Sequence, residues 1–94
     1  MNAQKVCEKI INHLVAEGFR FQVHKNDLEK AIMFYRGIDP RTIQKWIKAL
    51  EVFGYITPAI NDLGIRIPNI YQLNPTKIPK LMKVLKDNPQ TKMF

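Results

Sequence analysis

Serine is missing altogether, and the 94 residues include one cysteine and four glycines. Without serine there is no hydroxyl nucleophile of the Ser-His-Asp type. A lone cysteine can neither close an internal disulfide nor build a structural zinc site. Cys7, His13 and His24 lack metal-ligand or Cys-His nucleophile spacing. No Walker loop and no Gly-x-Gly-x-x-Gly phosphate cradle occurs. Enzyme activity, a cofactor and a bound metal are therefore not expected. No apolar run approaches the ~20 residues that span a bilayer, and the basic, apolar and small-residue series of a secretion leader is lacking. The expectation is an intracellular protein away from membranes. Acidic residues are scarce as well: 8 Asp and Glu face 15 Lys and Arg, leaving a net charge of +7. An excess of that size on a small surface attracts phosphate polyanions.

What is present describes one folded domain. Hydrophobic residues make up 46% and charged residues 24% of the chain, a globular balance rather than a disordered one. From about Asn2 to Glu17, Val6, Ile10 and Leu14, with Cys7, Ile11 and Val15 one step round, recur at helical spacing, and Gly18 ends the run. Phe19 to His24 alternates with period two and predicts a short strand. Asn26-Asp27-Leu28-Glu29 resembles a capping box opening a second helix with Leu28, Ala31, Ile32 and Tyr35 inward and Gly37 at its end. Asp39-Pro40 opens a third helix over about 40–53: Asp caps free amides, and Pro at the first position needs no N–H partner. Ile43, Trp46, Ile47 and Leu50 form its apolar side, with Phe53 at its end and Gly54 closing it.

The period changes again over 55–73. Tyr55-Ile56 and Ile65-Arg66-Ile67 predict strands joined by a turn at Asn61-Asp62-Leu63-Gly64. Pro58 and Pro68 would confine both strands to sheet edges. A last helix over about 76–87 carries Ile78, Leu81, Met82 and Leu85 on one side, with Lys77, Lys80, Lys83 and Lys86 beside them. The predicted class is α+β, with element order α-β-α-α-β-β-α.

The turn between the second and third helices is about three residues long, the spacing of a helix-turn-helix. Over Gly37 to Ile56, through Asp39-Pro40-Arg41-Thr42-Ile43-Gln44-Lys45-Trp46-Ile47-Lys48 and on to Phe53-Gly54-Tyr55-Ile56, the chain resembles the winged-helix DNA-binding family. It is also similar to small winged-helix regulators of archaeal viruses and their hosts. The resemblance implies a winged helix-turn-helix with helix 40–53 as recognition helix, 55–73 as wing, and double-stranded DNA as partner.

The third helix supports the same partner by its own chemistry. Opposite its apolar side stand Arg41, Thr42, Gln44, Lys45 and Lys48. In a major groove, Arg and Lys suit guanine, and Gln suits adenine. Arg41, Thr42, Gln44 and Lys45 are expected to read bases, and Lys48 to meet a phosphate. Arg66 is either a phosphate contact from the wing or a plain exposed strand residue. The lysines of the last helix either flank DNA or only solubilise the surface. A homodimer reading a two-fold site is expected, with Cys7, Ile11, Leu81, Met82 and Leu85 at its interface. Cys7 is read first as a small buried hydrophobe and alternatively as an intersubunit disulfide. The expected function is sequence-specific DNA binding in transcription regulation. A winged-helix protein-interaction module and a non-specific architectural or replication-associated binder remain as alternatives.

Overall fold

The structure, a computed structural model, describes residues 2–79 and 81–83. Three α-helices, α1 (Ala3–Ala16), α2 (Lys25–Arg36) and α3 (Pro40–Val52), combine with strands β1 (Gln22–His24), β2 (Ile56–Ile60) and β3 (Arg66–Leu73). A 3-10 turn at Pro75–Lys77 follows, and helical backbone resumes at 79 and 81–83. The class is α+β, and the elements from α1 to β3 follow the expected order. No helix among the described residues is long and apolar enough to cross a membrane.

Helix α1 begins where the Asn2 side chain accepts the Gln4 N–H at 2.8 Å. Both of its apolar stripes are buried, Val6, Ile10 and Leu14 together with Cys7, Ile11 and Val15. They join Leu28, Ala31 and Ile32 of α2, the inner side of α3, and Tyr55, Ile56, Tyr71, Leu73, Ile78 and Leu81 in one core. Tyr35 departs from the expected α2 stripe. It is exposed at the helix end, its ring edge-on to Phe34 at 4.9 Å and to His13 at 5.6 Å. Phe53 and Met82, expected on apolar sides, are likewise exposed.

Two starts differ from the sequence expectation. The first strand shrinks to Gln22–His24, and α2 begins at Lys25 rather than beside Asn26. The cap is His24, whose Nδ1 accepts the Asn26 N–H at 3.1 Å. Strand thus passes directly into helix, and the imidazole does the work expected of the Asn side chain. At the other end, Pro75–Lys77 forms a 3-10 turn instead of the first turn of a long helix. Pro79 then stands where helical backbone resumes, a first-turn position that needs no N–H donor. Lys80, Leu85 and Lys86, and the helix end expected at 87, lie outside the described residues.

The sheet corrects a further expectation. Its order is β1-β3-β2, all antiparallel, so the Pro68-bearing strand is central rather than an edge. The ladder explains how it tolerates proline. Pro58 pairs with Tyr71 but Ile60 pairs with Arg66, which leaves 67–70 bulged against a single residue of β2. Pro68 lies in this bulge, where no ladder donor is needed, and Asn69 takes φ +63° beside it. At the base of the hairpin, Asn74 donates its side-chain amide to the Gly54 carbonyl at 2.9 Å, and its backbone N–H to Tyr55 O at 3.0 Å. These bonds tie the start of β2 to the end of β3.

The junction of α2 and α3 sets the direction of α3. Gly37 holds φ +91° and ψ −177°, a region essentially reserved for glycine. The Asp39 carboxylate then accepts the Arg41 N–H at 2.9 Å, and Pro40 opens the helix. A Cβ at residue 37 would meet open space, so the cost of adding one is purely conformational. Gly37→Ala is therefore expected to lower stability by about 1–3 kcal/mol. A denaturant midpoint equal to wild type would show that this backbone geometry is not held in solution.

Candidate nucleic-acid interface

Helix α3 carries different chemistry on its two sides. Ile43, Trp46, Ile47 and Leu50 are buried, while Arg41, Gln44, Lys45 and Lys48 are exposed and Thr42 is half-buried. The helical repeat sets Arg41, Lys45 and Lys48 in one stripe at i, i+4 and i+7. The Arg41 side chain is 95% exposed, with Nε 3.8 Å from an Asp39 oxygen already accepting the cap bond. Such a long, solvated contact holds neither partner in place. Among the described residues no carboxylate pairs with Lys45 or Lys48. The five side chains named from the sequence thus share one helix, and all but Thr42 are open to solvent.

A cation not anticipated from the sequence borders this face. Arg36, the last residue of α2, lays its guanidinium 5.2 Å from the centre of the Trp46 ring. Lys45 Nζ lies 5.9 Å from the same ring. Cations over an indole are attracted by its π quadrupole, so Trp46 draws a charge from α2 to the border of α3. The available signal was a basic residue in the final turn of α2. Which residue it would stack on depends on helix packing.

Arg66 stands apart from that group. Its Nη2 donates to the Tyr71 hydroxyl at 3.3 Å, and its guanidinium lies 5.7 Å from the Tyr71 ring centre. The one cation between Tyr55 and Leu73 is therefore laid along its own strand. The hairpin tip is instead aliphatic. Asn61 Oδ1 accepts the N–H groups of Leu63 at 2.9 Å and Ile65 at 3.0 Å, which fixes the turn. Around it Ile60, Leu63 and Ile65 are exposed, Leu63 to 82%.

The residues expected at a subunit interface require correction. Cys7, Ile11 and Leu81 are buried inside the protomer, where they complete the core and present no surface to a second copy. Of that set only Met82 is exposed, and Leu85 lies outside the described residues. Cys7 is a free, buried thiol, which accords with its first reading as a small buried hydrophobe. Desolvation, with the Glu8 carboxylate adding to it, pushes the Cys7 thiol up to about 11. It therefore stays a neutral thiol at physiological pH, without thiolate reactivity. Among the described residues no group of three His, Cys, Asp or Glu side chains could hold a metal ion. Comparison with protein-family models, curated proteins and solved structures finds no match.

The thiol yields a pH prediction. An unfolded cysteine ionises near 9.0 and the folded one near 11. The stability contributed by the neutral buried thiol is thus complete below about pH 9, and it is lost as pH rises through about 11. Denaturant midpoints at about pH 8 and about pH 10.5 should fall more for wild type than for Cys7→Ala. Equal falls would show that Cys7 ionises alike in both states.

Proposed function

We propose that this chain is a winged-helix protein that binds double-stranded DNA by inserting α3 into the major groove, in the role of a sequence-specific transcription regulator. One observation carries the reading. The exposed side of α3 presents Arg41, Gln44, Lys45 and Lys48 without a carboxylate partner that holds them, while its other side is locked into the core. A cationic helix face anchored from behind suits a groove lined by phosphates and base edges. The charge distribution agrees. The segment Tyr55–Leu73 holds only Asp62 and Arg66, so the whole net charge of +7 resides outside the hairpin.

In this reading Arg41, Thr42, Gln44 and Lys45 read base edges, and Lys48 neutralises a phosphate at the groove edge. Arg36 adds a second phosphate contact from α2. Arg66 contributes little while it lies on Tyr71. The homodimer expected from the sequence belongs to the proposal as well, but its two-fold contact must use surface other than Cys7, Ile11 and Leu81. The aliphatic hairpin tip favours a second reading, a protein-interaction module, because Leu63 and its neighbours suit an apolar partner better than a phosphate.

Selection of bound sequences from a randomised duplex pool at near-physiological salt separates these readings. The expected result is enrichment of a defined motif, and a two-fold motif would bring the homodimer with it. Binding without enrichment would leave a non-specific architectural binder. No binding would leave the interaction module. On the selected duplex, Lys48→Ala should weaken binding to all sequences alike and reduce the slope of log affinity against log salt by about one. Arg41→Ala should relax preference at one base pair at a cost of about 1–3 kcal/mol, and unchanged preference would remove Arg41 from the base-reading set.

A further inference from the structure

Ile38 precedes the Asp39 cap, and Ile43 is the fourth residue of α3 counted from Pro40. Apolar residues at these two positions ordinarily close on each other as a hydrophobic staple, fixing how the chain enters the helix. Here Ile38 is 80% exposed. A cleft of about 240 Å³ lies among Ile38, Pro40 and Ile43, with Met33 and Glu29 of α2 and Gln44 of α3 completing its walls. A large aliphatic side chain is thus left in water beside an apolar hollow that it could help to close.

The walls restrict what can enter. Ile38, Pro40, Ile43 and Met33 offer no bond to a charged group, and the only ionisable group at the rim is the Glu29 carboxylate. A phosphate is repelled there. Yet Arg41 and Lys45 stand on the same helix, exposed, and draw a polyanion towards it. The occupant that satisfies both conditions is an apolar group carried on a polyanion. In the major groove that group is the C5 methyl of thymine. One wall is Gln44, whose side-chain amide matches the N6 and N7 edge of adenine, the partner of thymine.

We propose that the open cleft between Ile38 and Ile43 receives a thymine methyl, so that Ile38 and Gln44 together select an A·T pair at the N-terminal end of α3. The inference rests on the reading of α3 as a DNA-binding helix and names a specificity residue, Ile38, that this reading does not contain. Ile38 makes few contacts in the free protein, so Ile38→Ala leaves the core intact.

The test uses the duplex recovered by selection, resynthesised with deoxyuridine replacing thymidine at one position at a time. Removing a buried methyl should weaken wild-type binding roughly three- to five-fold at one position. Ile38→Ala should bind the thymidine duplex with a similar loss and should no longer distinguish thymidine from deoxyuridine there. A selected duplex whose binding is indifferent to every methyl, or an Ile38→Ala protein with undiminished discrimination, overturns the proposal and leaves the DNA reading standing. Failure to recover any bound duplex overturns both.

Discussion

Everything the candidate interface offers depends on how α3 leaves α2. With Gly37 at φ +91° and ψ −177°, the chain passes from Arg36 at the end of α2 to Pro40 at the start of α3 in three residues. Asp39 and Pro40 then start α3, the Asp39 side chain accepting the Arg41 N–H and Pro40 having no N–H to satisfy. This entry decides which side of α3 meets the core. Turning α3 half round its axis would put Arg41, Lys45 and Lys48 where Ile43, Trp46, Ile47 and Leu50 now lie, burying cations without partners, which is among the costliest errors a small domain can make. The cationic stripe is outside because the apolar stripe has been captured, and the capture begins at residue 37.

The hairpin solves a different problem by different means. A central strand containing Pro68 would lose a ladder bond. The bulge at 67–70 removes that requirement, and Asn69 at positive φ turns the chain back into register for Ile70, Tyr71 and Gln72 to pair with β1. The consequence reaches the surface. With Arg66 drawn onto Tyr71 and the tip fixed by Asn61, the hairpin projects aliphatic residues, in contrast to the basic remainder of the chain. The hairpin and the outer side of α3 thus offer different chemistry, so they are open to different partners.

What could be read in advance follows the range of the interaction involved. Asp39-Pro40, Gly18 and the turn at Asn61 were legible because capping and turn chemistry act within two to four residues. Helical spacing likewise placed Ile43, Trp46, Ile47 and Leu50 inward and the Arg, Gln and Lys residues outward. The central place of β3 was not legible, since strand order and a bulge are properties of pairing between distant segments. The His24 cap was missed because Asn26, two residues later, offered the stronger local signal. Arg36 over Trp46 and the open cleft at Ile38 both arise from the packing of α2 on α3, which no local spacing encodes.

The misplaced subunit interface has the same origin and a further lesson. An apolar helix stripe does not say whether its partner is intramolecular or a second copy. Size decides it here. A domain of this length has material for one modest core, and the apolar sides of its helices are needed to complete it. Cys7, Ile11 and Leu81 are accordingly consumed by the core. In such a small domain, large aliphatic residues that remain outside are the informative ones. Ile38 and Leu63 are each more than three quarters exposed, one beside the cationic helix and the other on the neutral hairpin. The first has a hollow, a charge field and an amide beside it, which together define the chemistry of an occupant. The second has only the turn fixed by Asn61 beneath it, on a hairpin that holds one acid and one base.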